Sequence, residues 1–137
     1  MDPRLQDAAV PAMNGYFDAV SLGAMYAMLA GGGQLGGVRI LSEETVRKAS
    51  EVQNDHRDRV VMMTMQWRLG YHRVPIVNKQ LPLAYGHFGF GGSGAFADPG
   101  HDLALAMVCN RGQGTPIGDL RILRLSQAAA RAVRTAG

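Results

Sequence analysis

One cysteine in 137 residues, Cys109, rules out an internal disulfide, and its place in an apolar run marks a buried, inert thiol rather than a reactive one. Dense basic blocks are missing too: 14 Lys+Arg stand against 11 Asp+Glu, net +3, spread from Arg4 to Arg134. So mild a charge argues against a nucleic-acid partner, which needs a concentrated patch. No apolar run reaches membrane-spanning length, and Met1-Asp2-Pro3-Arg4 lacks the charged-then-apolar order of a secretion signal. The expected setting is therefore cytoplasmic, with no membrane partner. Metal chemistry is poorly served: His56, Asp58, His72, His87, His101 and Asp102 are scattered through loops, with no H-E-x-x-H and no cysteine pair. No metal and no cofactor is expected. Repeats and low-complexity segments are also lacking. The 47% hydrophobic content over this length suits one unit with its own core, residues 1–137.

What the chain does have is glycine, concentrated in Tyr85-Gly86-His87-Phe88-Gly89-Phe90-Gly91-Gly92-Ser93-Gly94-Ala95-Phe96-Ala97-Asp98-Pro99. Five glycines fall among the nine residues 86–94, which frees the backbone for tight turns and close approach. Gly89-Phe90-Gly91-Gly92-Ser93-Gly94 fits the dinucleotide pattern G-x-G-x-x-G, and Gly91-Gly92-Ser93-Gly94-Ala95 approximates a nucleophile elbow around Ser93. Both motifs need a helix to follow. Ala95-Phe96-Ala97 instead runs into the Asp98-Pro99-Gly100 turn, which argues against both. A plain edge strand with a bulge is a third reading.

The rest of the chain is read as support for this stretch. Residues 1–15, with Pro3 and Pro11, suit an extended lead-in. Asp18 can cap a helix carrying Leu22, Met25 and Leu29, which Gly31-Gly32-Gly33 ends. Ser42 caps a second helix from Glu43 to about Glu51, with Leu41 placed to staple onto Val46. Gln53–Arg59 is polar and predicts a loop. Val60–Met63 and Met65–Tyr71 predict strands, with Trp67, Leu69 and Tyr71 on a buried face. Val74–Leu83, broken by Pro75 and Pro82, cannot be a central strand. Leu103–Cys109 is apolar at every position, which implies a strand covered on both faces by helices. A last helix from about Ile117 would bury Leu120, Ile122, Leu123, Leu125, Ala129, Ala130 and Val133, leaving Arg121, Arg124, Arg131 and Arg134 in solvent.

His87-Phe88-Gly89 on a strand, then Gly91-Gly92-Ser93, a short strand, Asp98-Pro99 and an apolar strand ending in Asn110-Arg111 together resemble the β-lactamase-like serine hydrolases, the penicillin-recognising superfamily. Asn14-Gly15 before a helix, and Gly37-Val38-Arg39-Ile40-Leu41-Ser42-Glu43-Glu44-Thr45-Val46, extend the resemblance from about Ala12 to the C-terminal helix. The implied fold is α+β, an antiparallel sheet of three to five strands flanked by helices, as in the C-terminal portion of the β-lactamase/transpeptidase-like fold. The strands around His87, Ala95 and Leu105 should be consecutive and antiparallel.

The resemblance also implies site roles. His87 takes the place of the third-motif lysine and Gly89 closes that motif. The N–H of Phe90 becomes one oxyanion donor, and Gly91, Gly92 and Ser93 border the substrate. His87 as a structural histidine is the plainer alternative. The family's nucleophile lies in Ser-x-x-Lys, yet none of Ser21, Ser42, Ser50, Ser93 and Ser126 has Lys three residues on, and no Tyr-x-Asn occurs. Thr45-Val46-Arg47-Lys48 has the spacing with threonine, but on the first turns of a capped surface helix.

Two functions follow. One is part of a serine hydrolase of the esterase or carboxypeptidase-like branch, inactive alone, that takes a small-molecule acyl substrate once completed by its missing half. The other is a non-catalytic module that binds a ligand or partner on the same sheet. A unit cut from a larger fold should expose apolar surface, near the Leu22-Met25-Leu29 helix and beyond Trp67, through which it pairs with a complementing chain or a second copy.

Overall fold

Both predicted caps start helices: the Asp18 carboxylate accepts from the Ser21 N–H at 2.7 Å, and Ser42 Oγ from the Thr45 N–H at 3.1 Å. The computed structural model describes residues 3–11, 15–75, 77, 79–112 and 119–135. In chain order it has α1 (Pro3–Asp7), α2 (Ala19–Ala30), β1 (Gln34–Leu35), β2 (Val38–Arg39) and α3 (Glu43–Ser50). Then come β3 (His72–Arg73), β4 (Tyr85–Phe88), β5 (Gly94–Asp98), β6 (Leu103–Met107) and α4 (Leu120–Thr135). The expected start of the last helix, Ile117, lies outside the described residues, as do Ala12 and Asn14.

Strands β3 to β6 form one antiparallel sheet in sequence order, so the strands around His87, Ala95 and Leu105 are consecutive and antiparallel as expected. Leu105 lies opposite Phe96, and Ala95 opposite His87. The apolar run of β6 conceals an alternation of size. Leu103, Leu105 and Met107 pack with Phe88, Phe96 and α4, whereas Ala104 and Ala106 share the other face with Ala95, Ala97 and α2. Small side chains on that face let α2 lie close to the sheet, and both faces are covered. Phe96 is fully buried at the centre of the α4 side. Its replacement by alanine should cost ~3–5 kcal/mol in a chemical-denaturation midpoint, because the surrounding leucines cannot collapse into the space.

Several expectations need correction. The N-terminus is not wholly extended, since proline at a first helical position favours the short helix α1. Residues 60–71 are not strands but turns joined by the isolated bridges Asn54–Trp67 and Arg57–Thr64. Asp58 causes this: its carboxylate accepts from the Val60 and Val61 N–H groups and from Trp67 Nε1, drawing the segment into a loop. Met62 and Gln66 sit at φ 58 and 50, which no strand allows. The expected buried face is not formed: Trp67 and Tyr71 are half-buried and Leu69 is exposed.

The described residues between β3 and β4 form no strand, as Pro75 and Pro82 require, yet Val74, Val77 and Leu81 are all buried in the α4-side core. On α4, Ile122, Leu123 and Ala130 face that core, but Leu120 and Leu125 are exposed. Arg121 is exposed as expected, and its guanidinium also holds Asp119 and the Arg111 carbonyl.

Apolar surface does remain near α2 and around Trp67, at Tyr16, Phe17, Val20, Val60 and Met62, although Leu29 itself is buried. No helix among the described residues is long and apolar enough to cross a membrane.

Candidate active site

Period-two alternation sends Tyr85 and His87 of β4 toward the α2 layer and Phe88 toward the α4 layer. Phe88 anchors the strand in the core. His87, one residue earlier, is exposed on the floor of a groove of about 760 Å3 whose walls include Leu22 and Tyr26 of α2, Pro11, and the turn after β4. That volume lies in the ordinary range for small-molecule sites.

The turn is locked by its own backbone. The Gly89 N–H donates to the Ser93 carbonyl at 2.8 Å, and the Gly92 N–H donates to the Gly89 carbonyl at 3.0 Å. Gly92 stands at φ +92, and a Cβ there would come within 2.8 Å of Asp119 Cβ, so the turn is pressed onto the start of α4. Asp119 is held in place by two Arg121 side-chain hydrogen bonds of 2.9 and 2.7 Å, which draw its carboxyl down to about 2. Phe90 rides the outside of this turn, 65% exposed. Its N–H has no acceptor among the described residues, so a backbone donor is left at the groove.

His87, Gly89, Phe90, Gly91 and Ser93 therefore meet around one groove, while Gly92 turns its back to it. The Ser93 hydroxyl is already committed, accepting from the Cys109 N–H at 2.9 Å beyond the end of β6. Strand β5 begins at Gly94, so no helix follows the glycines, and both the dinucleotide and elbow geometries are excluded. Among the described residues no group of three or more His, Cys, Asp or Glu could hold a metal ion.

Sequence reasoning missed Tyr26, Asp119 and the role of His72. Tyr26 opens an aromatic chain beneath the groove, edge-on to Tyr71 at 6.1 Å, which meets Tyr85 at 5.4 Å. Burial pushes the Tyr85 hydroxyl up to about 12, with Tyr71 adding to it and Arg68, 5.9 Å from the ring centre, opposing. His72 is buried against β4, its ring 5.2 Å from that of His87.

Burial lowers the pKa of His72 below 6.5, with the nearby His87 and Arg68 adding to this and the hydrogen bond to the Arg73 carbonyl opposing it, and partial desolvation against the groove walls lowers that of the more exposed His87 in the same direction. The unfolded chain then binds protons that the folded one refuses, so stability rises with pH through this range. The contribution should be complete above about pH 6.5 and lost as pH falls through the lowered values. The thermal midpoint should drop between pH 7.5 and 5.5, and by less in His72→Gln than in the unaltered chain.

Comparison with known proteins follows the same outline. The family model described as Beta-lactamase matches residues 1–130. "Esterase/beta-lactamase LipL" of Mycobacterium tuberculosis is 40% identical over 108 residues, 78% of this chain and 25% of that protein. The crystal structure of a family VIII carboxylesterase superposes with TM-score 0.73 and 33% identity, over 80% of this chain and 30% of the other. A penicillin-binding protein homologue from Caulobacter crescentus gives 0.70 and 26%, over 95% of this chain and 41% of its own. The chain thus spans well under half the length of the relatives it matches. A match over nearly all of its residues, on a sheet arranged as in two solved relatives, places it: this chain belongs to the beta-lactamase family.

Proposed function

We propose that the chain forms the third-motif side of a serine esterase site, acting on a small carboxylic ester through an acyl-serine intermediate whose serine and general base lie outside these residues. The observation that carries this reading is the Phe90 N–H, without an acceptor among the described residues, on a turn that lines the same groove as His87 and is held by the hydrogen bonds of Gly89 and Gly92. Attack by the serine oxygen on the ester carbonyl places negative charge on the carbonyl oxygen. A rigid N–H aimed at that oxygen stabilises it without reorganisation at the moment of reaction. The neutral His87 imidazole orients the substrate or the proton-relaying tyrosine. Collapse of the intermediate expels the alcohol, and water then releases the acid and restores the serine. Leu22, Tyr26 and Phe90 give the groove an apolar lining suited to an acyl chain, in keeping with the esterase names of two relatives.

The chain has no Ser-x-x-Lys, so it lacks the family's nucleophile and the lysine that activates it. Turnover of a p-nitrophenyl ester should therefore be absent with this chain alone. It should appear when a family segment bearing Ser-x-x-Lys and Tyr-x-Asn is supplied in trans, and should fall roughly 10²-fold in His87→Ala with the fold intact by circular dichroism. Turnover in the mixture that is indifferent to His87→Ala would contradict the assignment.

A further inference from the structure

Continuing the β3–β4 register past His72 would bring Gly70 opposite Phe88. The strand stops short, because Gly70 stands at φ +85 in the left-handed region. The acceptor that a longer β3 would offer comes instead from a side chain: the Phe88 N–H donates to His72 Nε2 at 3.1 Å, fully buried. His72 Nδ1 lies 2.7 Å from the Arg73 carbonyl, so Nδ1 carries the proton and Nε2 keeps its lone pair for Phe88. Three rings hold the imidazole edge-on, Trp67 at 5.6 Å, His87 at 5.2 Å and Phe88 at 6.1 Å. The Gly89 N–H points the opposite way, to the Ser93 carbonyl, so the Phe88 N–H marks the outer edge of β4 two residues before Phe90.

We propose that His72 is a positioning residue of this site: by standing in for the missing ladder on the edge of β4, it fixes the Phe88-Gly89-Phe90 backbone that presents the oxyanion donor, and it braces the His87 ring. The proposal rests on the esterase reading for its catalytic consequence, but its structural half can be tested on the 137-residue chain alone.

Two variants separate the roles of the ring. His72→Phe keeps a flat ring and removes the acceptor, whereas His72→Gln can return an oxygen to the place of Nε2. In the unaltered chain, nitrogen-15 spectra should show a pyridine-type Nε2 and a pyrrole-type Nδ1 at His72. Amide exchange at Phe88, referenced to Phe96 on β5, should quicken roughly tenfold in His72→Phe and return to within about threefold of the original in His72→Gln. In the complemented enzyme the same pair should lower and restore kcat about tenfold with little change in KM, because the donor acts on the transition state rather than on bound ester. The opposite tautomer, or Phe88 exchange unmoved in His72→Phe, overturns the proposal. If His72→Phe fails to fold, the tautomer of the unaltered chain and the His72→Gln exchange rate decide it. Correct tautomer and exchange with no turnover in any mixture would refute the esterase reading and leave the structural role of His72 standing.

Discussion

Phe90→Pro should cut ester turnover by the complemented enzyme ~10²–10³-fold, chiefly in kcat, while leaving the thermal midpoint of this chain nearly unchanged. Proline deletes the Phe90 N–H, a backbone donor at the groove, and no hydrogen bond among the described residues is lost with it, because none of them accepts from it. The side chain is 65% exposed, so its exchange removes little packing. Phe90→Ala makes the control: it retains the N–H and should lose no more than about tenfold, through weaker contact with an apolar acyl group. Equal losses in the two variants would place the effect in the phenyl ring and remove the oxyanion role.

Gly86→Ala is the second, and its effect falls on the fold. Gly86 pairs with Phe96 across β4 and β5, and a Cβ at position 86 would lie 2.6 Å from Phe96 Cα and 2.7 Å from its Cβ, closer still to the Ala95 carbonyl oxygen. The Ala95 oxygen and Phe96 Cα are backbone atoms at the centre of the sheet, and neither they nor the Cβ fixed to that Cα can move aside singly. The cost should be about 3 kcal/mol or more, enough to unfold a large share of a marginally stable chain. Two-dimensional amide spectra should then collapse toward the unfolded region. A well-dispersed spectrum with an unshifted denaturation midpoint would show that β4 and β5 are not registered as described.

The parts of this fold written in short stretches were legible. Asp18 and Ser42 announce their helices within three residues, and the β4, β5 and β6 strands are set off by glycine and the Asp98-Pro99 turn. The two-sided cover of β6 followed from its unbroken apolarity, though not the split into a leucine face and an alanine face. What escaped depends on contacts far along the chain. Met62 and Gln66 carry no sign of a left-handed backbone, and only the Asp58 carboxylate bonded to Trp67 explains why 60–71 is not a strand pair. Two prolines rightly forbid a central strand over Val74–Leu83, but they do not show that Val74, Val77 and Leu81 fill the core, as a buried loop can without joining a ladder. His72 gave no local hint, since its partner Phe88 lies sixteen residues away. At the site, the meeting of His87 and Phe90 at one groove was readable from a resemblance, while its support from Asp119 and Tyr26 was not.

In the proposed esterase, this chain contributes the oxyanion donor and His87 but not the nucleophile. Intact-protein mass spectrometry tests this directly, after the complemented mixture is treated with a fluorophosphonate that reacts with activated serines and does not leave. The account predicts one adduct on the segment bearing Ser-x-x-Lys and none on the 137-residue chain, with or without the complement. An adduct on this chain that disappears in Ser93→Ala would contradict it, by showing that the hydroxyl placed here in the service of the Cys109 N–H is the reacting group.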